Sequence, residues 1–155
     1  MSNLDFLLRV RQERPGAHIV FKEHPDLLDG RRSGATDLAQ ARAIADEVAE
    51  TGDALDWIDA ADEVHVRTSL AGFEALLRDK AVHCHGLPFY AGWGLTHDRV
   101  RTARRTRTRS LDELVVGALL RYPTYLDPRS GMAMTAEDAV NLIEQEIAAR
   151  DAGRG

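Results

Sequence analysis

The 155-residue chain is large enough for one domain with its own core, and 44% apolar with 29% charged residues argues against disorder along its length. No run approaches the roughly 18 consecutive apolar residues of a membrane span, and Asp5, Arg9 and Arg11 interrupt the apolar positions of Met1 to Gln12, against a signal peptide. The single cysteine, Cys84, excludes an internal disulfide and any multi-cysteine zinc site, and the net charge of −5 excludes globally driven nucleic-acid binding.

A cytoplasmic protein is the default expectation. Leu4, Leu7, Leu8 and Val10 are helix-spaced, and Arg14-Pro15-Gly16 stops that helix. His18 to Lys22 is a β-branched and aromatic strand ending at Glu23-His24-Pro25. Leu38 to Glu50 reads as an Ala-rich helix with Thr51-Gly52 as its exit, and Leu55 to Ile58 is either a short strand or a turn of helix. Glu63 to Val66 is a strand. Thr68-Ser69 then opens a helix with Leu70, Phe73, Leu76 and Leu77 on one face, and Ala81 to His85 is the next strand. A glycine-rich loop follows from Gly86 to Gly94. Ser110 with Glu113 makes a capping box for a helix faced by Leu111, Leu114, Val115, Ala118 and Leu119, and Thr135 with Asp138 opens a last helix to about Ala149.

Strands separated by helices imply right-handed β-α-β units. The expected fold is α/β, a Rossmann-like parallel sheet with helices on both faces, in a single domain over residues 1–150 with a disordered tail from 151 to 155. Ligands of such sheets bind beyond the carboxyl ends of the strands. There lie His24-Pro25, Arg67-Thr68-Ser69 and the segment from Gly86 onward.

Thr68-Ser69 at a strand-to-helix junction offers free N–H groups and a positive helix end to a phosphate, and Glu74 on the same helix offers a carboxylate to ribose hydroxyls. Spacing alone leaves open a simple N-cap with a solvated glutamate. His24, fixed by Pro25, can donate to a phosphate or move a proton, or serve as a loop histidine without a role. The segment Gly86 to Thr96 holds three glycines, three aromatics and a proline in eleven residues. It suits either stacking on a base or sugar, through Tyr90 and Trp93 among others, or the closing of the domain. It has neither P-loop nor dinucleotide-fingerprint spacing. His18, His65, His83 and His85 show no helical metal-ligand spacing, so no metal site is expected.

Charge is polarised. Nine acidic residues and one basic residue lie from Asp37 to Glu63, six arginines and no acid from Arg99 to Arg109. The arginine stretch, with Arg104 and Arg105 at its centre, either meets an anionic polymer, lipid surface or nucleic acid, or is a solvated connection neutralised by the acidic segment. The strongly acidic remainder argues against nucleic acid as the partner. With no apolar face of useful size, the stretch is expected to be exposed and mobile.

FKEHPD at Phe21 to Asp26, DEVHVRTSLAGFEALLRDKAV at Asp62 to Val82 and GLPFYAGWGLT at Gly86 to Thr96 together resemble the capsule polysaccharide biosynthesis/export family of bacterial β-Kdo transferases. The likeness continues through Arg104-Arg105 and SLDELVVGALLRYPTYLDP, Ser110 to Pro128. It implies one half of a GT-B glycosyltransferase, the donor-binding half. It also implies CMP-Kdo as donor substrate, no cofactor, and a role in building the Kdo linker of capsular polysaccharide. His24, Pro25, Thr68, Ser69, Glu74, Gly86, Tyr90 and Trp93 would border the nucleotide sugar. In that picture His24, Ser69 and backbone N–H groups hold the phosphate and Glu74 the ribose. Arg104 and Arg105 would face an anionic acceptor or inner-membrane lipid. Glu23 and His85 depart from the Pro and Tyr expected at those positions. The acceptor half, and with it the catalytic carboxylate, is expected on a separate chain or to be missing. The alternative is a non-catalytic interaction protein of the capsule export system.

Overall fold

Ser2 opens the first helix. The computed structural model describes residues 1–22 and 37–153, and in it α1 (Asn3–Glu13) starts from a capping box. Ser2 Oγ accepts from the Asp5 N–H at 3.1 Å while the Asp5 carboxylate accepts from the Ser2 N–H at 2.8 Å. Leu7 and Val10 of α1 enter a core with Ile19, Phe21, Ala41 and Ala45. β1 (Val20–Lys22) pairs in parallel with β2 (Glu47–Ala49), Phe21 opposite Val48.

β2 corrects the expected helix over Leu38 to Glu50. The helix α2 covers only Leu38–Arg42, capped by Asp37, whose carboxylate accepts from the Ala39 N–H at 2.9 Å. What ends it is Asp46, which accepts from the Ile19 N–H at 2.8 Å and pairs with Arg11. That tie draws the chain alongside β1, and strand pairing outweighs the helix propensity of the alanines. α3 (Ala54–Ala60) resolves the ambiguity at Leu55 to Ile58 in favour of helix. Asp53 caps it by accepting from the Leu55 N–H at 2.9 Å.

The strands that position the candidate site form a three-stranded parallel sheet, β3 (Glu63–Val66), β4 (Ala81–Cys84) and β5 (His97–Asp98), in that order. Glu63 lies opposite Ala81, His65 opposite His83, and His83 opposite His97. The crossover from β3 to β4 carries α4 (Ala71–Leu76), which buries Gly72, Phe73, Ala75 and Leu76. The crossover from β4 to β5 is the glycine-aromatic loop. β5 had no sequence signal, being two residues between that loop and the arginines.

The chain divides into two compact units, the first ending at Thr108. In the second, Ser110 and Glu113 form the expected capping box for α5 (Leu111–Val115), which continues as a π-helical turn over Val116–Arg121. β6 (Tyr125–Leu126) and β7 (Ala133–Met134) make an antiparallel hairpin. Asp127 organises its turn, accepting from the Arg129 N–H and the Ser130 hydroxyl, both at 2.8 Å. α6 (Ala136–Ala152) starts from the Thr135–Asp138 box and runs past the expected end at Ala149, so Asp151 and Ala152 are helical rather than tail.

Candidate functional site

One face of the β3–β4 pair carries a histidine array that sequence spacing did not suggest. Parallel register, not helical periodicity, assembles it. The His65 and His83 rings stack at 4.5 Å within 5° of parallel, and His83 stacks on His97 at 4.6 Å. Glu63 lies 3.1 Å from His65 Nε2 and 3.0 Å from His83 Nε2, and His65 Nδ1 lies 3.1 Å from His85 Nε2. One tautomer set satisfies all three contacts, with each proton on Nε2: His85 donates to His65, and His65 and His83 donate to Glu63. Arg14 completes the network, its Nε donating to one Glu63 oxygen at 2.5 Å and its Nη2 to the other at 3.1 Å. The guanidinium holds the Glu63 carboxyl down at about 2. Burial lowers the His83 pKa and brings that of His85 to about 4, so both rings are neutral. The Nδ1 atoms of His83 and His85 are buried without a partner among the described residues.

Two trios have ligand atoms close enough to share an ion, Glu63 with His65 and His83, and Glu13 with His65 and His85. The first does not fit one. An ion in the plane of the His65 ring lies out of the plane of the stacked His83 ring, whereas an imidazole lone pair points in its ring plane. Both carboxylates also already hold an arginine, Arg14 on Glu63 and Arg99 on Glu13. The array reads as a hydrogen-bonded wall of the core.

The carboxyl ends of β3 and β4 are built differently. Gly86 follows β4 tightly against the end of β3, since a Cβ there would fall 2.6 Å from the Arg67 carbonyl oxygen. Thr68 and Ser69 are exposed, and Ser69 Oγ accepts from the Ala71 N–H at 3.2 Å. Behind them lies Tyr90, expected to border the ligand but completely buried. Its hydroxyl donates to the Ser69 carbonyl, and burial raises its pKa. The ring packs edge-on to Phe89 at 5.2 Å and lies 6.3 Å from Phe73. Tyr90 is therefore a prop under Ser69, not a ligand contact. Gly72 makes this possible: a Cβ at that position would fall 2.3 Å from the Tyr90 hydroxyl. A glycine inside a helix is costly, so Gly72 was the sequence signal for this close approach.

The loop itself is fixed from two sides. Asp98 accepts from the Gly92 N–H at 2.8 Å and from the Thr96 hydroxyl at 2.7 Å. Arg105 Nη1 donates to the Pro88 carbonyl at 2.5 Å and the Ala91 carbonyl at 2.7 Å, and its guanidinium lies 5.6 Å from the centre of the Trp93 ring. Trp93 Nε1 donates to the Phe89 carbonyl at 2.8 Å. Phe89 is left 43% exposed at the loop's surface. Arg105 thus departs from the expectation of an exposed, mobile arginine stretch, because its charge is satisfied by loop carbonyls. Arg104 is exposed as expected.

Glu74 is half-buried on α4, and its carboxylate makes no hydrogen bond or ion pair with the described residues. Cys84 is fully buried and its thiol is pushed up to about 11 by that burial, so it is no nucleophile at neutral pH. His24 and Pro25 lie outside the described residues. A shallow depression of about 390 Å³ in the second unit, lined by Leu120, Tyr125, Met134 and Glu137 among others, contains none of the expected site residues.

The family model of capsule polysaccharide biosynthesis proteins matches residues 1–126. The chain belongs to that family. It is 48% identical over 141 residues to the capsule polysaccharide modification protein LipA of Neisseria meningitidis serogroup B, and 40% identical over 148 residues to the lipopolysaccharide-processing protein LpsZ of Rhizobium meliloti. These matches cover 91% and 94% of this chain but 20% of LipA and 33% of LpsZ. Two solved structures of KpsC from Thermosulfurimonas dismutans are similar. The β-Kdo 2,7 transferase matches at 45% identity and a TM-score of 0.77, covering 89% of this chain and 43% of that one. The β-Kdo 2,4 transferase matches at 37% identity and a TM-score of 0.76, covering 88% and 43%. The fold of this capsule-family chain is thus α/β of the GT-B glycosyltransferase type, and the resemblance to the Kdo transferase family holds. No helix among the described residues is long and apolar enough to cross a membrane.

Proposed function

We propose that this chain is the donor-binding half of a β-Kdo glycosyltransferase, taking CMP-Kdo for capsular polysaccharide linker synthesis. The observation that carries the reading is the 45% identity to a β-Kdo 2,7 transferase over 43% of that protein's length. The strand ends support it chemically. The Ser69 hydroxyl, which keeps its proton to donate, and the Leu70 N–H, which has no acceptor among the described residues, suit a single phosphate, which needs less charge neutralisation than a diphosphate and no metal. Glu74 has a carboxylate unengaged among the described residues for the vicinal ribose hydroxyls, and Phe89 and Trp93 border a base or sugar ring. His24, Pro25, Thr68 and Gly86 complete the proposed lining. Arg104 is the proposed contact for an anionic acceptor or lipid headgroup at the cytoplasmic face of the inner membrane. In this reading the acceptor half and the catalytic carboxylate lie outside these 155 residues.

Calorimetric titration with CMP and CMP-Kdo tests this. Binding without transfer is the expected result for the isolated chain. Glu74→Ala costs about 1.5–3 kcal/mol of CMP affinity, the range for hydrogen bonds to a charged group, and Ser69→Ala less because the backbone donors remain. Absence of CMP binding at millimolar concentration defeats the donor-site assignment. Transfer of Kdo by this chain alone defeats the half-enzyme reading instead.

A further inference from the structure

We propose that Arg105 is the positioning residue of the glycine-aromatic loop, holding Phe89 and Trp93 in place as a wall for the planar ring of the ligand. The inference rests on the donor-site reading above. An arginine that serves an anionic partner keeps its donors for that partner, whereas Arg105 spends one of its nitrogens on the loop's own backbone. It is half-buried, and one nitrogen, Nη1, bridges the Pro88 and Ala91 carbonyls at 2.5 and 2.7 Å. These two carbonyls bound the tight turn closed by the Ala91 N–H on the Pro88 carbonyl at 3.2 Å. Its stem lies against Gly92, where a Cβ would fall 3.2 Å from Arg105 Cδ and where φ is +81°. Its guanidinium lies over the Trp93 ring, and Trp93 in turn holds the Phe89 carbonyl at 2.8 Å.

One side chain therefore ties together Pro88, Ala91, Gly92 and Trp93. Charge-assisted hydrogen bonds and a cation over an aromatic face are among the stronger local contacts available to a loop. Their product here is a partly exposed aromatic surface on a fixed backbone. A surface ordered before binding spares the ligand the entropy of ordering it. Arg105 acts through the loop and does not itself contact the ligand.

The test uses the full chain carrying Trp57→Phe, which leaves Trp93 as its one tryptophan. Tryptophan emission and calorimetry with CMP are read for Arg105→Gln, Arg105→Lys and the exposed control Arg101→Gln. The expected result is a shifted Trp93 emission and an affinity about tenfold weaker for Arg105→Gln, with both unchanged for Arg101→Gln. Lys retains a cation with three donors for the two carbonyls, so Arg105→Lys recovers affinity to within about threefold. A folded Arg105→Gln chain with unchanged affinity overturns the proposal. So does loss of affinity with unmoved Trp93 emission, because the guanidinium would then touch the ligand directly. If Arg105→Gln does not fold, Arg105→Lys decides: affinity within about threefold of the parent, or a larger loss that comes with a shifted Trp93 emission, supports the proposal, and a larger loss with unmoved emission overturns it. If the parent chain binds no CMP, the donor-site reading fails, and the emission shift still decides whether Arg105 holds the loop.

Discussion

The face of the β3–β4 pair and its carboxyl end are close in sequence but opposite in construction. The face gathers Glu63, His65, His83 and His85 with Arg14 in one network, and the two atoms it leaves over, the Nδ1 of His83 and of His85, are buried. The strand end has few titratable groups, yet Ser69 is exposed and the Glu74 carboxylate is unengaged among the described residues. Density of ionisable side chains is thus a poor guide to where a ligand goes. What distinguishes the two regions is whether the hydrogen-bonding capacity left over once the fold is made is buried or reaches the surface. The same contrast recurs inside the arginine stretch, where the half-buried Arg105 is tied to loop carbonyls and the exposed Arg104 is not.

Acid should break the closed region first. The His85 pKa is about 4 in the folded chain, pushed down chiefly by burial, against 6.5 in the unfolded one. Protons therefore bind the unfolded chain preferentially between those values. The contribution is fully present above pH 6.5 and is lost as pH falls toward 4, amounting to about 3 kcal/mol at 1.36 kcal/mol per unit. His83, lowered in the same direction, adds to the slope. Urea unfolding at several pH values should show stability falling across this window, and His85→Asn should flatten the fall. A stability unchanged down to pH 4.5 would mean that water reaches these rings, and the contrast with the strand end would be lost.

Removing the carboxylate sharpens the same comparison with a smaller effect. Glu63→Ala leaves Arg14 without its bidentate partner and the His65 and His83 donors without an acceptor. The Arg14 and Glu63 side chains are 34% and 28% exposed, so the cost should fall below that of a fully buried pair, at about 2 kcal/mol. CMP affinity measured on the folded fraction should not change. A matching loss of affinity would place the histidine face in the ligand site after all.

Local signals were the legible ones. The strands at Glu63 to Val66 and from Ala81, and the capping boxes at Ser110 and Thr135, were readable because each is decided by residues within a few positions of one another. β2 was not, because alanines that favour a helix were overruled by a contact from Asp46 to Ile19 and Arg11. The histidine array was hidden for the same reason: it exists only once the register of β3, β4 and β5 is set. At the site, the segments were identifiable but the roles of their side chains were not. Tyr90 and Arg105 look like ligand contacts in sequence, and only their hydrogen bonds to the Ser69, Pro88 and Ala91 carbonyls show that they face inward.

The smallest expected effect is at Ser69, where stability and binding separate. Its hydroxyl accepts from the Ala71 N–H at 3.2 Å, an exposed contact at the start of a six-residue helix. Its carbonyl takes the Tyr90 hydroxyl. Ser69→Ala removes the first and keeps the second, so the prop beneath the loop survives. Loss of such an exposed side-chain-to-backbone bond costs about 0.5–1 kcal/mol, well under the cost at Glu63. Tyr90→Phe is the complement: it keeps the Ser69 hydroxyl bond and frees the carbonyl, leaving the ring packed between Phe73 and Phe89. Chemical denaturation of the two variants, with CMP affinity measured beside it, should show Ser69→Ala nearly as stable as the parent and modestly weaker in binding. If Ser69→Ala instead destabilises the chain as much as Glu63→Ala, the strand end is as closed as the histidine face, and Ser69 is a structural residue like Tyr90.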